Sequence, residues 1–152
     1  MNVRCGHRNV FGFYIGMSRD SFFCVVRNLF GYEISEKFKD PERFDIVIFK
    51  YPDDESRLFI KRVIGLPGEV VEIKDGKVYI DGSPTPLDDS FIPEKMVGSY
   101  GPYTVPENCY FMLGDNRNDS KDSRSWKNKF VRFDQLVGKA VVRYYPSFKW
   151  LG

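Results

Sequence analysis

Two short stretches hold residue types that can do chemistry together. The first is Leu58-Phe59-Ile60-Lys61-Arg62-Val63-Ile64-Gly65-Leu66-Pro67-Gly68-Glu69. Side chains on a strand alternate between faces, so Lys61 points the same way as Phe59 and Val63. An amine on an apolar face is costly to keep charged, and burial lowers its pKa. A lysine made neutral in this way can act as a general base toward a serine hydroxyl. Read alone, the same lysine can also snorkel from a strand edge to water.

The second stretch is Met112-Leu113-Gly114-Asp115-Asn116-Arg117-Asn118-Asp119-Ser120-Lys121-Asp122-Ser123-Arg124. A strand runs into a loop dense with Asp, Asn, Ser and Arg. Such a loop is costly to order unless its polar groups pair. Asp122 and Arg124 suit a charge-assisted bond, and the Ser120 hydroxyl can donate to or accept from an amine. Read alone, the block also suits a solvated turn that closes a hairpin.

The elements that must position these residues are strands. Phe44 to Lys50 is rich in β-branched and aromatic residues and ends at Tyr51-Pro52-Asp53-Asp54. Leu58 to Ile64 is a second strand, closed by Gly65-Leu66-Pro67-Gly68. Val70 to Lys74 and Lys77 to Ile80 flank Asp75-Gly76, a two-residue hairpin signal because both turn positions need positive φ. Asp81 to Pro106 holds five of the nine prolines and reads as loop with short pieces of structure. Cys109 to Leu113 and Val137 to Tyr145 complete the set. The expected fold class is mostly β, with antiparallel sheets and little helix, any helix being confined to about the first forty residues and the loops.

Taken together, the two blocks resemble the conserved boxes of bacterial type I signal peptidases, serine endopeptidases that work with a Ser–Lys dyad. Arg43-Phe44-Asp45-Ile46-Val47-Ile48-Phe49-Lys50 is similar to the strand box that precedes them in that family. The resemblance runs from about Leu29 to Tyr145. It implies antiparallel β-sheets of the signal-peptidase catalytic type, with an apolar face on the membrane surface. It implies cleavage of signal peptides from exported preproteins, the substrate bound as an extended strand. The catalytic domain would lie on the extracytoplasmic face of the cell membrane. No metal and no organic cofactor are implied. Residue by residue, Lys61 would be the general base and Ser120 would orient its amine. Asp122 and Arg124 would form a salt bridge beside the site, and Gly114 and Asp115 would shape the loop that carries Ser120.

The resemblance stops in the N-terminal part, where residues 1–28 form a divergent segment ahead of a β catalytic domain over 29–152. The family's nucleophile sits in a Ser-Met-x-Pro-Thr box after a membrane-spanning helix, and neither is found here. Counting back from Lys61 by the family's spacing lands near Ser18, with Ser21 as a neighbouring candidate. Two positions before Ser18 stands Gly16, where many members carry a Ser or Thr that supplies an oxyanion hydroxyl. A frame-shifted or wrongly assigned start would explain so abrupt a break, and so would a real divergence. The alternative to an active peptidase is therefore an inactive remnant of the same fold that at most binds extended peptides. A secreted β-rich interaction domain, with the polar loop as its binding surface, is the reading from outside the family.

Composition excludes other classes. The 152 residues are 42% hydrophobic and 29% charged, which is the balance of a globular chain. Net charge is +2, from 23 basic and 21 acidic residues, and gives no electrostatic footprint for nucleic acid. Cys5, Cys24 and Cys109 form no CxxC, and Cys5 with the lone histidine, His7, offers too few ligands for a metal. The most apolar N-terminal stretch, Val10 to Phe30, is interrupted by Arg19, Asp20 and Arg27, so it reads neither as a membrane span nor as a signal peptide. Trp126 and Trp150 read as packing or membrane-facing aromatics, and Cys109 as a small buried hydrophobe.

Overall fold

Runs of apolar and β-branched residues build the centre of the molecule from two neighbours, β4 (Ile46–Tyr51) and β5 (Asp54–Gly65), joined by a tight turn. In the computed structural model, residues 14–18, 21–27, 32–35, 40–143 and 149–150 are described, with side chains over 40–140. The remaining strands are β1 (Tyr14–Ser18), β2 (Ser21–Arg27), β3 (Tyr32–Ser35), β6 (Val70–Lys74), β7 (Lys77–Ile80), β8 (Tyr100–Thr104), β9 (Cys109–Leu113), β10 (Val131–Arg132), β11 (Leu136–Arg143) and β12 (Lys149–Trp150). A single 3₁₀ turn over Phe133–Gln135 is the helical content among the described residues. The mostly antiparallel β architecture is the one expected.

The main sheet runs β10-β9-β5-β4-β11-β12, with β3 also paired to β11, and a smaller sheet runs β7-β6-β8. Every pairing is antiparallel. The cores follow from the period of two. On β9, Tyr110 and Met112 enter one apolar cluster while Phe111 and Leu113 enter another. On β5, Val63 faces the first cluster and Ile64 the second. The two strands are thus buried on both faces at this point, and their backbone cannot move without disturbing two cores. Trp126, 2% exposed, packs into the first cluster against Phe49, Tyr51 and Phe59, which makes it a packing aromatic.

Local chemistry accounts for the boundaries. Asp75 and Gly76 adopt φ of 48° and 74°, as a two-residue hairpin turn requires, between β6 and β7. Phe44 also has a positive φ of 74°, so the strand starts at Ile46 and not at Phe44. Tyr51 pairs directly with Asp54, which starts β5 four residues ahead of the expected Leu58. Asp53 in that turn accepts from Tyr51 Oη (2.9 Å) and from the backbone N–H of Lys127 (2.9 Å) and Asn128 (2.8 Å), fastening the turn to the far loop. Within the proline-rich stretch, β8 pairs with β6. Strand β1 pairs with β2 in a separate ladder where the sequence shows no clear period.

Candidate active site

The site is built where β9 runs beside β5. The register pairs Arg62 with Leu113, so the next position along places Gly114 against Lys61. Ser120, six residues further along the loop, fills the space a side chain at position 114 would take. A Cβ on Gly114 would lie 2.6 Å from Ser120 Cβ and 3.4 Å from Lys61 Nζ. With glycine there, Lys61 Nζ donates to Ser120 Oγ at 3.0 Å. Lys61, Ser120 and Gly114 line an open cleft with Ile46, Ile60, Arg62, Asp115, Asn116 and Asp119.

The loop between Gly114 and Arg124 folds around Asp122. This carboxylate is fully buried, and a buried charge must be paired and hydrogen-bonded. Arg124 Nε and Nη2 each reach it at 2.8 Å, and the Gly114 N–H donates to it at 3.1 Å. Arg124 Nη2 also donates to the carbonyl of Arg117 at 2.6 Å. Ser123 exchanges bonds with Met112, whose N–H donates to Ser123 Oγ at 2.9 Å. The loop end therefore continues the strand's hydrogen bonding and delivers Ser120 at a fixed height above Lys61.

Asp115 is held from the other strand. Arg62 Nε and Nη2 bind its two oxygens at 2.8 and 2.6 Å, and Arg62 Nη1 donates to the Phe44 carbonyl at 2.8 Å. Neighbours on β5 thus divide the work: Lys61 turns into the cleft, and Arg62 clamps the loop. The strand's exit is fixed by Glu69, which accepts two bonds from Arg43 (2.9 and 2.5 Å) and one from the Leu66 N–H (2.8 Å). These clamps were legible only as members of the boxes, because nothing in the chain's spacing pairs Arg62 with Asp115 or Arg43 with Glu69.

A further tie had no signal in the sequence. Arg117 is 2% exposed, and its Nη1 donates to Asp89 at 2.6 Å while Nε and Nη2 are unpartnered. Asn118 bonds Glu94, the Lys95 carbonyl and the Val97 N–H. The proline-rich stretch therefore braces the loop that carries Ser120.

Burial also acts on the protonation of the lysine. Lys61 is half-buried, and removal from water pushes its pKa below the ordinary 10.5. The nearby Asp122 and Asp115 charges pull the other way, and Arg124 adds to the lowering. The downward shift wins because the apolar face with Phe59 and Val63 leaves the ammonium poorly solvated. Ser18 closes β1 and pairs in register with Ser21 of β2, but both side chains lie outside the described residues. So do Cys5, His7 and Trp150. Among the described residues, no three His, Cys, Asp or Glu side chains are grouped to hold a metal ion.

The chain is similar to known proteins in sequence and in fold. The family model described as "Signal peptidase, peptidase S26" matches residues 20–145. A probable signal peptidase I-2 from Synechocystis is 43% identical over 120 residues, covering 75% of this chain and 53% of that protein. Signal peptidase I from Leptolyngbya laminosa is 40% identical over 122 residues, covering 75% of this chain and 58% of that protein. The chain thus spans little more than half the length of these relatives. The crystal structure of a signal peptidase I from Enterococcus faecalis superposes with a TM-score of 0.58 at 35% identity, covering 68% of this chain and 98% of that one. With a match over most of its length and a shared fold, this chain belongs to the signal peptidase family, peptidase S26.

Proposed function

We propose that this chain is the catalytic part of a signal peptidase, cutting N-terminal signal peptides from exported preproteins by Ser–Lys acyl-enzyme chemistry. The observation that carries this reading is the 3.0 Å bond between Lys61 Nζ and Ser120 Oγ, on a lysine that burial drives toward neutrality inside an open cleft. In this scheme Ser18 Oγ attacks the scissile carbonyl as Lys61 takes its proton. Lys61 then protonates the leaving amine. It next deprotonates a water, which attacks the ester carbonyl, and returns that proton to Ser18 Oγ as the acyl–oxygen bond breaks. Ser120 is a positioning residue that aims the amine, while Asp122 with Arg124, and Gly114 with Asp115, hold its loop. The work is done at the membrane surface, on the extracytoplasmic side. No described helix is long and apolar enough to cross a membrane.

The test is cleavage of a signal-peptide substrate by the chain and by Lys61→Ala, Ser18→Ala and Ser21→Ala variants. Loss of cleavage in Lys61→Ala and in one serine variant is the expected result. Undiminished cleavage by Lys61→Ala would overturn the dyad. A parent chain that binds the peptide without cutting it would select the inactive-remnant reading.

A further inference from the structure

The cleft around Lys61 contains four ionisable side chains: Lys61, Arg62, Asp115 and Asp119. Three of them are committed. Lys61 is bonded to Ser120, and Arg62 and Asp115 neutralise each other through two bonds. Asp119 is different. It stands next to Ser120 in the chain, is exposed, lines the same cleft, and its carboxylate makes no hydrogen bond or ion pair among the described residues. Its neighbour Asn118 is turned away to Glu94, Lys95 and Val97, so the loop's polar side chains are not interchangeable. The result, among the described residues, is one carboxylate on the cleft wall without a bonded partner, beside the Lys61–Ser120 pair.

We infer that Asp119 is a specificity-determining residue, which makes this cleft favour peptides with a basic side chain, and disfavour those with an acidic one, within a few residues of the bond at Lys61. This deepens the peptidase reading and rests on it. A carboxylate at a cleft wall attracts a passing Lys or Arg and repels Glu or Asp. Because Asp119 is exposed, the preference is of the size of a surface ion pair and is screened by salt. The side chain acts on the peptide by charge, not by proton transfer.

The test uses fluorescein-labelled signal-peptide analogues with Lys, Gln or Glu placed in turn at each of the three positions on either side of the cut. Binding is read by anisotropy and cleavage by chromatography. At one or more positions the parent chain should bind the Lys peptide about fivefold more tightly than the Glu peptide at low salt, with the ratio flattening toward one at high salt. Asp119→Asn should bring the ratio close to one at low salt, and Asp119→Lys should reverse it. Thermal melts of both variants within a few degrees of the parent's exclude misfolding as the cause. A ratio near one in the parent at every position, or an unchanged ratio in Asp119→Asn, overturns the inference while leaving the peptidase reading intact if cleavage is seen. A parent that binds Lys peptides preferentially but cuts none supports the inference and overturns the peptidase reading. Failure to bind or cut any of the peptides overturns both.

Discussion

Replacing Gly114 with alanine should separate the positioning of Lys61 from every other feature of the site. The φ of Gly114 lies outside the left-handed region, so alanine is conformationally acceptable and any effect is steric. The new methyl would sit 2.6 Å from Ser120 Cβ and still nearer to its Oγ, well inside the 3.0 Å that real Cβ atoms respect. The loop cannot back away freely, because the Gly114 N–H is itself bonded to the buried Asp122 at 3.1 Å. Ser120 must therefore swing off, and Lys61 loses the partner it holds at 3.0 Å. A hydrogen bond between neutral groups is worth about 1 kcal/mol and one to a charged group about 1.5–3 kcal/mol. At about 1.4 kcal/mol per factor of ten, kcat/KM should fall by about 5- to 100-fold. Overpacking should add about 1–3 kcal/mol of destabilisation, and so lower Tm by about 2–10 °C in a chain of this size. The assay is steady-state cleavage of a fluorogenic signal-peptide substrate across pH, with thermal melts of the same preparations. Activity within about twofold of the parent, with an unchanged pH profile, would refute the claim that the empty position at Gly114 is what seats Ser120 on Lys61.

Two further outcomes follow from the same geometry. Because the reaction needs a neutral amine and burial lowers the Lys61 pKa, kcat/KM should rise with pH along a limb centred below 10.5. The same shift has a stability consequence. Between the lowered folded pKa and the unfolded value near 10.5 the Lys61 site binds more protons in the unfolded chain, so its contribution to stability should climb with pH across that window. Burial raises the Cys109, Tyr51, Tyr103 and Tyr110 pKa values and works the other way, in the parent and in Lys61→Met alike. The parent's urea-unfolding free energy should therefore gain on that of Lys61→Met from pH 7 to about pH 10, with Lys61→Met the more stable at pH 7; a constant difference would speak against a depressed pKa. Separately, Asp89→Ala leaves the guanidinium of Arg117, 2% exposed, without its one bonded partner. Breaking a buried pair costs about 3–5 kcal/mol, and since the Asp89 side chain is 30% exposed, about 2–3 kcal/mol is expected in chemical denaturation. Most of it should return in the Asp89→Ala, Arg117→Met double variant, and a loss under about 0.5 kcal/mol would show the pair to be idle.

Much of this protein is written locally in its sequence. Runs of β-branched and aromatic residues mark β4, β5, β6, β7 and β9, and the alternation of side chains along any strand then puts Lys61 on the face of Phe59 and Val63. Asp75-Gly76 dictates its own turn, since few other pairs tolerate two positive φ values. Family membership is legible too, because the boxes around Lys61 and Ser120 are short and dense in chemistry-bearing residues. Tertiary structure decided the rest. The start of β4 depends on the positive φ of Phe44, whose N–H and neighbouring carbonyl bond Val63, nineteen positions away, and no local preference of a phenylalanine announces that. That Gly114 lies across from Lys61, that Arg62 grips Asp115, and that Asp89 reaches back to Arg117 all depend on register between segments far apart in the chain. Register is set by which faces can be buried together, and that is a property of the assembled sheets, not of any one strand.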